Sequence, residues 1–247
     1  MTRNIANLTK TTLIIATLLL FASCRHNINF GDGRKGSGNI VEQTRTITED
    51  FQHIEVSTGV EVLVEQSDTK SVVVETDDNL QDLIITKVEN GVLYINSSEG
   101  YNTNETPRVT VKMPIISGLI ANSGSSLKSL NTLVTENIIV KSSSGSEIDI
   151  DVEADLITVE TSSGSSAEVG GKALKLETSS SSGSTLDASN LLVNDVVSQA
   201  TSGSSTTVNP ILSLDGKASS GSSVDYKNVP KTLTKEESSG GSVSKNN

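Results

Sequence analysis

The chain has 247 residues, with 19 Lys and Arg against 30 Asp and Glu, a formal net charge of −11, one cysteine and no tryptophan. A balance this acidic repels nucleic acid and anionic lipid headgroups, so nucleic-acid binding is excluded, and one cysteine leaves no disulfide within the chain. Aromatic residues make up only 2%, which suits a narrow interior of Val, Ile, Leu, Ala, Ser and Thr better than a broad globular core.

The first element is not fold. Arg3 and Lys10 flank the start of the apolar run LIIATLLLF at 13–21, which is too short to span a bilayer comfortably, and FASC ends at Cys24. The pattern resembles a bacterial lipoprotein signal peptide, residues 1–23, with cleavage before Cys24 and lipidation of its thiol and new amine. Phe21 stands where the usual lipobox has Leu. Several acyl chains would make membrane attachment stable, whereas one chain is marginal. Cleavage removes two basic residues and no acidic one, leaving 17 against 30 and a net charge of −13. RHNINFGDGRKGSG follows; it is polar and glycine-rich, and residues 24–36 read as a flexible tether.

From Asn39 onward apolar residues alternate. HIEVSTGVEVLVEQ sets Ile54, Val56, Val60, Val62 and Val64 among polar neighbours, SVVVETD is a β-branched run, and PRVTVKMP is a strand bounded by Pro107 and Pro114. Asn90-Gly91 between two apolar stretches predicts a hairpin. No stretch keeps a 3.6-residue period, so almost no helix is expected.

Ser-Gly steps then recur at Gly124, Gly145, Gly164, Gly183, Gly203, Gly221 and Gly240, at intervals of 21, 19, 19, 20, 18 and 19 residues. A flexible linker has no reason to keep such a period; one structural unit used repeatedly does. The third residue after the first six glycines is Leu127, Ile148, Ala167, Leu186, Thr206 and Val224, expected inward. The fourth is Lys128, Asp149, Glu168, Asp187, Thr207 and Asp225, expected outward. A second strand in each unit supplies Ile138 and Val140, Ile157 and Val159, Leu174 and Leu176, then Leu212 and Leu214. One such coil buries too little to offset roughly 1–2 kcal/mol per ordered residue. Stacked coils bury a continuous core. The expected fold is therefore all-β, a parallel β-helix with rungs of about 19 residues, right-handed by the usual chirality of such connections. Residues 37–247 form one domain, with 37–117 as a head segment and 118–247 as the Ser-Gly rungs. The glycines should have positive φ. The serines that follow them, Ser125, Ser146, Ser165, Ser184, Ser204 and Ser222, should stack as a ladder of hydroxyls bonded to one another.

The stretch RTITEDFQHIEVSTGVEVLVEQSDTKSVVVETDDNLQDLIITKVENGVLYI at 45–95, followed by these rungs, resembles the DUF2807 family, also called the putative auto-transporter adhesin head GIN domain. Phe51, Ile54, Val56, Val62, Gln66, Asp78, Asn79, Leu80, Asn90, Gly91, Leu93 and Ile95 carry the resemblance, which extends over about residues 37–240. It implies a β-helical fold, lipoprotein export and a Bacteroidetes-type source. Its motifs are structural and carry no chemistry.

Patterns that suggest catalysis do not hold together. GDGRKG at 31–36 fits G-x-G-x-x-G but follows no strand and opens no helix. S-x-x-K occurs at Ser67/Lys70, Ser125/Lys128 and Ser242/Lys245 without partner motifs. After cleavage only His26 and His53 remain, too few for the usual zinc spacings, and G-x-S-x-G is absent. Asp149, Asp151 and Glu153 alternate along one strand and, with Glu168 and Asp187, could offer Ca²⁺ a weak acidic face; the plainer reading is a solvated face.

No catalytic, cofactor or metal residue is assigned, and the expectation is a non-enzymatic, lipid-anchored cell-envelope protein that binds or scaffolds. Its partners are the membrane, through Cys24, and an envelope protein or glycan. An envelope-stress or regulatory lipoprotein is the alternative; a β-helical carbohydrate-active enzyme is a further one, by fold analogy. Arg25 after Cys24 lacks the aspartate-type inner-membrane retention signal, which favours the outer membrane. The absence of an acidic cluster in RHNINFG leans toward its periplasmic face over the cell surface.

Overall fold

Every Ser-Gly step is a tight turn. In the computed structural model, which describes residues 33–246, both central residues of each turn are left-handed: Ser144 and Gly145 have φ of 55° and 71°, Ser163 and Gly164 55° and 69°, Ser182 and Gly183 54° and 68°. Positive φ at both centres defines a type I′ turn. The Ser165 N–H closes one by donating to the Ser162 carbonyl at 3.2 Å. The sequence pointed to the glycine; the preceding serine takes the strained conformation as well. Thr58 and Gly59, at φ of 60° and 72°, make the same turn in the head segment.

The turns join two sides of a β-solenoid. On one side the strands run Ile40–Arg45, Ser71–Asp77, Arg108–Met113, Glu61–Gln66, Ser126–Ser129, then the first halves of Glu147–Thr161 and Ser166–Ser180, then Thr185–Asp187, Ser205–Val208, Ser223–Tyr226 and Ser242–Lys245. On the other they run Ile84–Glu89, Val92–Ser97, His53–Val56, Gly118–Ala121, Leu133–Ser142, the second halves of the two long strands, Leu191–Ala200, Pro210–Ala218 and Thr232–Glu237. The successive rungs pair in parallel. Ile40–Arg45, Ser71–Asp77 and Ile84–Glu89 pair antiparallel and cover the first end. Asn90 and Gly91, both at positive φ, turn the hairpin the sequence predicted.

The expected inward column is present. Val109, Val62, Leu127, Ile148, Ala167, Leu186, Thr206, Val224 and Val243 stack in register and all are buried. The head segment departs from a simple succession: His53–Gln66 is itself a rung, inserted between 92–113 and 118–129.

Two expectations are corrected. The serines after the glycines do not bond mainly to one another. Ser165 Oγ donates to the Ser142 carbonyl one rung back at 2.7 Å and accepts the Ser162 N–H at 3.2 Å; Ser146 and Ser222 repeat the pattern against Ala121 and Ala200. Serines in one repeated rotamer have their hydroxyls about 4.8 Å apart, beyond hydrogen-bond reach, so those after the glycines serve the backbone; hydroxyl-to-hydroxyl bonds between rungs occur elsewhere in the core, from Thr161 to Ser180 at 3.0 Å and Thr178 to Ser198 at 2.8 Å. The tether reading covers residues 24–36, of which 24–32 lie outside the described residues, as do residues 1–23. Residues 33–36 are held in place: Arg34–Lys35 pairs with Tyr101–Asn102, and Asn79 bridges the Lys35 carbonyl and the Ser37 N–H.

Candidate functional site

Strict alternation fails at one corner of each rung. In Ser166–Ser180 the buried residues are Ala167, Val169, Gly170 and Ala173, then Leu176, Thr178 and Ser180. The phase shifts by one residue, so Leu174 and Lys175 both point outward. The same slip occurs at Asp155 and at Asn194–Asp195, where pairing is interrupted. Leu174, expected inward, is therefore 55% exposed, while Leu176 is fully buried. Leu212 is only half-buried for the same reason.

The slip leaves Leu174 on the surface, and aliphatic residues also occupy outward positions near it, such as Val134 and Leu192. Ile115, Val134, Leu174, Leu192 and Ile211 are all exposed. They line two shallow grooves that share Val134 and Thr135. One, about 490 Å³, holds Val134, Ala154, Leu174, Leu192 and Ile211; the other, about 470 Å³, holds His53, Pro114, Ile115 and Ile139. Val134, Glu153, Lys172 and Leu192 are register neighbours, so their column rises at about 4.8 Å per rung. Glu153 and Lys172 lie within this column, between Val134 and Leu192, and pair at 3.2 Å, an exposed pair worth little by itself. Exposed aliphatic side chains gathered around a groove with polar neighbours are the feature that marks a contact site. Sequence reasoning missed it because Val134, Leu192 and Ile211 look like ordinary strand residues until the stacking of the rungs is known.

The residues weighed for chemistry are dispersed. Cys24 and His26 lie outside the described residues. His53 is half-buried in the groove that also holds Pro114 and Ile115. Ser125 points inward to the Val56 carbonyl, whereas Lys128 points outward to Asp149 at 2.5 Å, so the S-x-x-K spacing places its two members on opposite faces. The hydrogen bond from Lys128 to Asp149 raises the lysine above its ordinary value. Asp149, Glu168 and Asp187 are register neighbours on the outer face. Among the described residues no three His, Cys, Asp or Glu groups converge as a metal cage. Likewise, among the described residues no helix is long and apolar enough to cross a membrane.

The DUF2807 family model, described as putative auto-transporter adhesin, head GIN domain, matches residues 50–230. Solved structures share the fold. One described as a putative adhesin from Bacteroides fragilis is 19% identical, with a TM-score of 0.80 over 87% of this chain and 100% of that one. One described as a putative lipid binding protein from Parabacteroides distasonis is 17% identical, with a TM-score of 0.70 over 86% and 99%. A third, described as a putative adhesin from Parabacteroides merdae, is 17% identical, with a TM-score of 0.71 over 86% and 98%. No curated protein matches the chain.

Proposed function

The chain belongs to the DUF2807 family, the putative auto-transporter adhesin head GIN domains, and on that premise we propose that it is a non-enzymatic binding protein of the cell envelope. In this reading lipid on Cys24 fixes it to the outer membrane, and the solenoid engages an envelope protein or glycan along its apolar corner. The supporting observation is that Ile115, Val134, Leu174, Leu192 and Ile211, all exposed, gather around two adjoining grooves. A solenoid is a rigid support, so side chains at one corner keep a fixed spacing from rung to rung, and an extended partner can contact several at once.

The test is a photo-crosslinking residue placed at 174, with a second placed at 149 on the acidic face as control. Crosslinks in living cells from 174 and not from 149 support the reading. Equal labelling, or none at 174, counts against the corner. Products that are protein or glycan decide the partner class, and a protein product that is itself an envelope regulator favours the regulatory alternative. Turnover of a glycan by the purified chain would replace the non-enzymatic reading altogether.

A further inference from the structure

The core columns of the solenoid change character toward the last rung. One column reads Leu93, Ile54, Leu119, Val140, Val159, Thr178, Ser198, Gly216 and then Lys235. Its neighbour reads Ile95, Val56, Ala121, Ser142, Thr161, Ser180, Ala200, Ala218 and then Glu237. Large aliphatic residues give way to small ones, and both columns end in a charge.

These two charges are fastened to the end of the stack. Lys235 Nζ donates to the Val243 carbonyl at 2.5 Å and sits 5.3 Å from the centre of the Tyr226 ring, itself a core residue. Glu237 Oε1 accepts the Val243 N–H at 2.6 Å. Val243 is thereby held over Gly216, where a β-carbon would come within 2.9 Å of it. Beyond this rung, Thr232–Glu237 and Ser242–Lys245 have no strand partner on their outer edges among the described residues. Open parallel edges of this kind are templates for another chain, and charges set into the inward positions oppose that pairing.

We propose that Lys235 and Glu237 form an ionic plug that closes the last rung and prevents a second copy of this chain from stacking end-on. A copy adding its strands to these edges would have to bury both side chains against its own apolar columns, and burying a charge without a partner is strongly unfavourable. The plug also explains why the columns narrow before it: Gly216 and Ala218 make room for the Val243 segment that the two charges hold.

The test uses the full chain carrying Cys24→Ser, so that lipid does not drive association, in sedimentation velocity over a concentration series. Lys235→Val with Glu237→Ala restores residues these columns use elsewhere. It should convert a concentration-independent monomer boundary into dimers and longer species. Lys217→Val with Glu236→Ala removes an outward ion pair of the same charges, 2.9 Å apart on adjacent rungs of the column between these two, and should stay monomeric. The exchange Lys235→Glu with Glu237→Lys keeps charge in both columns and should also stay monomeric. A folded plug variant that remains monomeric overturns the proposal, as does association of the Lys217/Glu236 control to the same extent. If the plug variant does not fold, Lys235→Met with Glu237→Gln carries the same two outcomes.

Discussion

The Gly145 N–H donates to the Ser163 carbonyl one turn along the stack, at 3.2 Å, and both residues are left-handed. Gly124 to Ser144, Gly164 to Ser182 and Gly183 to Ser202 repeat the bond. The turns therefore form their own ladder, and the Ser-Gly period is the spacing of that ladder.

Since nothing lies within 4 Å of a β-carbon built on Gly145, Gly145→Ala tests conformation alone. It should cost about 1–2 kcal/mol, the penalty of a left-handed L-residue, read as a lower urea midpoint at unchanged slope. Ser144→Asn places a residue tolerant of this region at φ 55° and should be neutral or slightly stabilising. No loss in Gly145→Ala would remove the conformational account of the repeat.

The buried serines give a second measurement. Ser165→Ala removes two hydroxyl bonds, to the Ser162 N–H and the Ser142 carbonyl; those two groups keep their own backbone bond at 3.0 Å, so the change should cost about 0.5–1.5 kcal/mol. Ser163→Ala in the same turn removes only an exposed hydroxyl and should change the midpoint little. Equal losses at the two positions would mean that the hydroxyl-to-backbone bonds are not what retains serine after the glycine.

Leu174 and Leu176 separate stability from binding. Leu176→Glu buries an unpaired charge and should cost several kcal/mol; Leu174→Glu should leave thermal unfolding nearly unchanged and abolish crosslinking from a probe moved to position 192 in the same groove. Two residues of one strand with the same parity would thus behave oppositely. If Leu174→Glu unfolds the chain, the position of the corner is wrong.

That pair also shows where the sequence stops being legible. Period two and the Ser-Gly spacing are local, so the inward positions of Leu127, Ile148, Ala167 and Leu186 could be read directly. The corner adds one residue without any glycine or proline to mark it at Leu174, and alternation carried through it misplaces that side chain. The insertion of His53–Gln66 between 92–113 and 118–129 rests on pairing between distant segments, which no local pattern encodes. The groove was hidden partly for the same reason and partly because Val134 and Leu192, outward by ordinary alternation, are gathered around Leu174 only by the stacking of distant rungs. The restraint of residues 33–39 by Asp77, Asp78 and Asn79 was hidden too, because a short polar stretch gains its order from partners about 40 residues away.

The restraint predicts a pH effect confined to the N-terminal strap. Hydrogen bonds from Ser37 and Asn39 hold the Asp78 carboxyl below its ordinary value, and Arg34 does the same for Asp82. A carboxylate depressed in the folded state adds stability above its unfolded pKa and loses it as pH falls through the folded value. Taking the pH from about 5 to about 2 should therefore lower the protection from hydrogen exchange, relative to the intrinsic rate at each pH, at the Ser37 and Gly38 amides well before that at Ile148. Asp78→Asn should speed exchange at Ser37 already at neutral pH and flatten its pH dependence. Protection at Ser37 that is unchanged at low pH would show that the strap is held by its backbone contacts alone.

The strap joins the solenoid to the segment that carries Cys24, so anchoring and topology can be tested together. Cys24→Ser should move the protein from the membrane fraction to the soluble one while leaving the solenoid folded; persistence in membranes would refute the lipid anchor. For the anchored protein, protease added to intact cells reads the leaflet. The lack of acidic residues just after Cys24 predicts protection, with digestion only after the outer membrane is opened. Digestion in intact cells, with periplasmic controls spared, would instead place the corner groove outside, where it can meet other cells or surfaces. Because a lipid anchor holds the same solenoid in either leaflet, this one result decides whether the groove is available for adhesion or only for partners within the envelope.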